Sequence, residues 1–116
     1  MQSEELQTLA ITALNDLQAI NLITYDVRPL TSITDYMIIC SGRSTRHVKS
    51  LAEAIVKKAK QQAVTYIKME GERESEWVLV DLGAVIIHVM LPTAREFYNL
   101  EDLWEPIKTA REQQSR

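Results

Sequence analysis

The sequence predicts an α/β (α+β) fold: a single mixed five-stranded sheet with flanking helices, in the order α-β-β-α-β-β-β-α. Three observations predict it. Apolar residues recur at helical spacing in two stretches, Leu6 to Leu17 and Val48 to Ala59. Short apolar runs rich in β-branched residues stand between and after them. Within the most apolar region, Gly83 offers the positive φ of a tight turn and folds one run back on the next. The chain has 116 residues, enough for one domain of ordinary size, assigned to 1–105 with a polar tail at 106–116.

Taken in order, Gln2 or Ser3 opens the first helix, with Glu4 and Glu5 in its first turn, where negative charge suits the dipole. Leu6, Leu9, Ala10, Ala13, Leu14 and Leu17 form its packed face, and it ends near Ala19 to Asn21. Leu22 to Val27 is the first strand, closed off by Pro29. A short loop over 30–34 leads to the second strand, Asp35 to Cys40. That strand is apolar on both faces and therefore central in the sheet. Ser44 or Thr45 caps the second helix, whose stripe is Val48, Leu51, Ala52, Ile55, Val56 and Ala59. Val64 to Lys68 is a third strand, followed by a charged loop over 70–76. Pro92 stops the last strand, and Thr93 caps a short helix through Tyr98.

The hairpin of 77–90 is the centre of the chain. With Asp81 placed opposite Ala84, Trp77 faces His88, Leu79 faces Ile86 and Val80 faces Val85. Alternation puts Val78, Val80, Val85, Ile87 and Val89 on one wholly aliphatic face, suited to a core. The other face carries Trp77, Leu79, Asp81, Ala84, Ile86, His88 and Met90. Its mixture of indole, acid, imidazole and thioether suits a docking surface better than a core.

Composition excludes several function classes. Hydrophobic content of 46% with 25% charged residues is that of an ordinary globular domain. A net charge of −3 argues against sequence-independent nucleic-acid binding by the chain as a whole. No apolar run approaches the length of a membrane span, and the N-terminus has no signal-peptide pattern, so a cytoplasmic location is expected. The lone Cys40 lies in an apolar run and reads as structural. His47, His88 and Cys40 do not fall at metal-ligand spacing. Ser41-Gly42-Arg43-Ser44 turns from strand to helix without a Walker or dinucleotide pattern, so Gly42 reads as a turn and Ser44 as a cap. Asp35 and Asp81 could pair as acids. The preferred reading has Asp81 starting the hairpin turn and Asp35 orienting the 31–34 loop through its backbone N–H groups. Trp104 reads as core, whereas Trp77 reads equally as core or contact.

Three stretches resemble the ribosomal silencing factor family (RsfS, also called Iojap or DUF143). The first is Ser32-Ile33-Thr34-Asp35-Tyr36-Met37-Ile38-Ile39-Cys40-Ser41-Gly42 with Ser44, Arg46, His47 and Val48. The second is Trp77-Val78-Leu79-Val80-Asp81-Leu82-Gly83 with Val85, His88, Val89 and Met90. The third is Arg95, Phe97, Tyr98, Leu100, Glu101, Leu103 and Trp104. The resemblance implies a bacterial cytoplasmic protein that binds the fourteenth protein of the large ribosomal subunit. Bound there, it blocks small-subunit joining and lowers translation when nutrients are short. It implies a nucleotidyltransferase-like fold, homodimers when free, and neither catalysis nor cofactor nor small-molecule substrate. The third strand, read as Val64 to Lys68, lacks the paired acids of active nucleotidyltransferases. A nucleotide-binding enzyme built on Ser41, Gly42, Asp35 and Asp81 is the alternative, and a homodimeric regulatory domain is a third reading. For docking, Trp77, Leu79 and Met90 are expected as apolar anchors and Asp81 and His88 as polar selectors, with Tyr98 and Leu100 extending the patch. Lys57, Lys58 and Lys60 read as a solvated helix end, with a nearby ribosomal RNA contact as the sharper alternative.

Overall fold

A computed structural model describes residues 1–103. The elements are α1 (Ser3–Asp16), β1 (Ile20–Asp26), β2 (Tyr36–Ser41), α2 (Thr45–Gln61), β3 (Lys68–Glu70), β4 (Trp77–Asp81), β5 (Val85–Met90) and α3 (Pro92–Tyr98). The five strands form one sheet in the order β1-β2-β5-β4-β3. β2 and β5 run parallel and the other neighbours antiparallel, so the sheet is mixed. The expected element order and fold class both hold. Trp104 and the 106–116 tail lie outside the described residues.

β2 lies between β1 and β5 and buries all six of its residues, as expected of an interior strand. Its Cys40 is buried, and burial pushes the thiol up to about 12, so it stays protonated and inert. α1 and α2 lie on one side of the sheet. Their buried stripes form a single core with Val78, Val80, Val85, Ile87 and Val89, all fully enclosed. Ser44 caps α2 by accepting from the His47 backbone N–H at 3.1 Å.

Several boundaries move. α1 ends at Asp16, earlier than its apolar spacing suggests. Gln18 turns left-handed at φ 61°, and the Ala19 N–H bonds back to Leu14 O, which releases Ile20 into β1. β3 is Lys68–Glu70 and not 64–68. The close of α2 holds Val64 through its N–H to Ala59 O, and Val64 and Ile67 pack against the core without joining the sheet. The strand after α2 therefore does end on an acid, Glu70. That carboxylate pairs with Lys68 at 3.2 Å on an exposed edge. α3 starts at Pro92 with Leu91 as its cap. Proline both stops β5 and opens the helix, because the first turn needs no N–H from it.

The hairpin register also shifts. Trp77 pairs with Met90, Leu79 with His88, Val80 with Ile87 and Asp81 with Ile86. The turn spans Leu82 to Val85, closed by Leu82 N–H to Val85 O at 2.9 Å, with Gly83 at φ 84°. Asp81 Oδ1 accepts the Gly83 N–H at 2.8 Å, so the aspartate does start the turn. The displacement is two residues along one strand. Because side chains alternate with period two, both faces keep the residues assigned to them.

One further backbone position supports the hairpin. Gly71 has φ 88°, and a Cβ there would lie 2.2 Å from the Trp77 carbonyl oxygen. Gly71→Ala is expected to cost about 2 kcal/mol or more of stability, read as a lower urea midpoint at unchanged slope.

Candidate docking face

Among the described residues no long helix lies over the second face of the sheet. α3 covers only the end that carries Trp77, Met90 and Ser41. It is pinned by Arg95, whose Nε donates to Glu101 Oε1 at 2.8 Å and whose guanidinium also donates to Ser41 Oγ at 3.2 Å. On this face Tyr25, Val27, Met37, Ile39 and Met90 form a second, smaller core, with Ile23, Trp77, Ala94 and Leu100 packed against it.

The seven expected docking residues therefore divide by depth. Met90 is fully enclosed and is not an exposed anchor, because β5 runs beneath α3 at that point. His88 is 7% exposed and is not presented as a polar selector. Its Nδ1 accepts the Trp77 indole N–H at 2.9 Å, which leaves the ring proton on Nε2. Burial pushes the imidazole down to about 4, so it is neutral near pH 7. Trp77, Leu79, Asp81 and Leu100 are part-exposed, and Tyr98 is 53% exposed.

The aromatic rings connect these depths. The Trp77 ring lies 5.8 Å from the His88 ring and 4.8 Å from that of Tyr98. Phe97 meets Tyr98 edge-on at 5.1 Å. The series runs from the nearly enclosed imidazole to Phe97, which is 81% exposed. Phe97 belongs to the patch and was not among the expected docking residues. A signal for it is present in the chain: a helix of two turns with Phe and Tyr adjacent cannot turn both rings inward, and α3 buries none of its residues.

The other candidates have structural roles. His47 Nδ1 accepts the Arg43 backbone N–H at 2.9 Å, and its Nε2 donates to Leu17 O at 2.7 Å, stitching the end of α1 to the start of α2. The Asp35 carboxylate accepts the Ser3 hydroxyl and ties the start of α1 to β2. It does not organise the 31–34 loop through that loop's backbone; there the Ile33 N–H bonds to Thr31 Oγ1. Gly42 packs so closely on α2 that a Cβ would meet Val48 N at 2.8 Å. Among the described residues no three His, Cys, Asp or Glu side chains gather to hold a metal ion. Among them, too, no helix is long and apolar enough to cross a membrane.

The family model described as "Ribosomal silencing factor during starvation" matches residues 1–116. Over 104 residues the chain is 43% identical to the ribosomal silencing factor RsfS of Chromobacterium violaceum, spanning 90% of this chain and 85% of that protein. It is 37% identical over 99 residues to the Mus musculus protein named Mitochondrial assembly of ribosomal large subunit protein 1, spanning 83% of this chain and 43% of that one. A crystal structure of a Chromobacterium violaceum protein superposes with a TM-score of 0.88 at 43% identity, covering 90% of this chain and 88% of the other. With the whole chain matched and the fold shared, this protein belongs to the ribosomal silencing factor family.

Proposed function

We propose that the mixed sheet face docks this protein in the cytoplasm onto the large ribosomal subunit, through the fourteenth protein of that subunit. Docking there blocks the small subunit by occupying its place, and so lowers translation when nutrients are short. The observation that carries the reading is the exposed aromatic patch of Tyr98 and Phe97, which meets part-exposed Trp77 on the sheet face that also carries part-exposed Leu79. Large aromatic side chains on a rigid scaffold are the usual anchors of such interfaces. Asp81 lies part-exposed on the same face and suits a basic partner. His88 and Met90 support the patch from beneath. No bond is made or broken, because occupancy alone is sufficient for the effect.

Purified large subunits pelleted with the protein test this directly. Tyr98→Ala and Leu79→Ala are expected to bind at least about tenfold more weakly, near 1.4 kcal/mol, and to stop protecting large subunits from added small subunits. Wild-type affinity in both variants would move the docking face elsewhere.

A further inference from the structure

The charges of this chain are segregated. Six of its 13 Lys and Arg residues lie between Arg43 and Lys60, against the single acid Glu53. The remainder of the chain holds seven cations and 15 acids. Within α2 the buried residues Val48, Leu51, Ala52, Ile55 and Ala59 define the inward side. Arg46, Lys49, Glu53, Lys57 and Lys60 follow one another at intervals of three and four residues on the opposite side. All five are exposed, within an arc of about 80° and along about 21 Å of helix. Exposed Arg43 extends the row past the helix start.

Fold stability does not explain this row. Cations near the end of α2 suit the helix dipole, and Lys58 also pairs with Asp16 of α1 at 3.7 Å. Arg43, Arg46 and Lys49 stand at the other end, where the dipole disfavours positive charge, and the first turn has no acid to offset them. Among the described residues, none of Arg43, Arg46, Lys49, Lys57 and Lys60 takes part in an ion pair. At the start of α2 the row works against the helix dipole, and among the described residues no ion pair offsets it.

We propose that the outer face of α2 is a second docking surface, which lies along the phosphate backbone of a ribosomal RNA helix. A straight row of long cationic side chains on a rigid rod, with no aromatic ring among them, suits phosphates better than bases. An acidic protein is the weaker fit, since the row offers no apolar anchor for its centre. α2 and the Trp77 face are turned to opposite sides of the sheet, so both surfaces can be occupied at once. The proposal rests on the large-subunit reading for the source of the RNA.

The test compares wild type with the quadruple variant Arg46→Gln, Lys49→Gln, Lys57→Gln, Lys60→Gln. Glutamine matches lysine and arginine in helix propensity, and all four positions are exposed, so the fold is retained. One measurement is fluorescence anisotropy with a labelled RNA duplex across a salt series starting near about 50 mM. The other is pelleting with large subunits across the same series. Wild type is expected to bind the duplex with steep salt dependence. The variant is expected to bind at least about tenfold more weakly, and its plot of log affinity against log salt to flatten by about three. Its large-subunit binding should lose salt dependence in parallel. Equal duplex binding by the two proteins overturns the proposal, and so does identical pelleting at every salt concentration. Equal duplex binding with weakened pelleting overturns it in favour of an acidic protein contact. A wild type that does not pellet with large subunits overturns the docking reading and this proposal together, and is told apart because the other failures all retain wild-type pelleting.

Discussion

Trp77→Ala is expected to lower folding stability by about 3 kcal/mol and to weaken large-subunit binding in the same protein. The indole sits between two rings, 4.8 Å from Tyr98 and 5.8 Å from His88, and its N–H donates to His88 Nδ1. Its removal leaves a buried acceptor unpaired and takes away the surface against which Tyr98 rests. Trp77→Phe keeps a ring but not the N–H and should cost about 1 kcal/mol. The two effects of Trp77→Ala can be separated with Tyr98→Ala, since Tyr98 is 53% exposed and among the described residues makes no hydrogen bond to the core. That variant should lose binding with a much smaller shift in urea midpoint. A Trp77→Ala protein as stable as wild type would show that the indole serves contact alone.

Acid should destabilise the protein through His88. In the unfolded chain an imidazole titrates near about 6.5, whereas in the fold burial holds His88 at about 4. Above pH 6.5 it is neutral in both states, and the full native stability is present. As the pH falls from about 6.5 to about 4, the unfolded chain takes up a proton that the folded protein refuses, and stability declines by about 3 kcal/mol. Below about 4 both states carry the proton and this contribution levels off. His88→Gln keeps an acceptor for the Trp77 N–H but cannot titrate. Its stability, measured by urea unfolding between pH 7 and 4, should fall less than that of wild type by about that amount. Parallel profiles for the two proteins would assign the acid sensitivity to other groups.

The local chemistry of the chain was a good guide wherever the deciding interaction was local. Ser44 caps α2, Asp81 and Gly83 make the hairpin turn, and the two helical stripes face the sheet, because each depends on neighbours within a few residues. The residues after α2 misled for a related reason. Val64 and Ile67 have the composition of a strand, but their apolar surface is used for packing while Lys68–Glu70 takes the only pairing available on β4. Composition records that a side chain is to be buried and does not record what buries it. The early end of α1 reflects a left-handed Gln18, a conformation that residue type alone does not announce.

The candidate site was legible as a set of residues but not as a surface. By itself the sequence determined that Trp77, Leu79, Asp81, His88 and Met90 share one face. Alternation is a property of the backbone, and a two-residue slip in register leaves it unchanged. Only the tertiary structure decided which of them meet solvent. That depends on α3, a two-turn helix held by Arg95 to Glu101 and Ser41, contacts that reach as far as 54 positions along the chain. Where α3 lies, Met90 and His88 become the floor of the patch; where it ends, Tyr98 and Phe97 are left outside. A contact between residues so distant in sequence has no local signature, because its free energy comes from burial that exists only once the sheet is assembled.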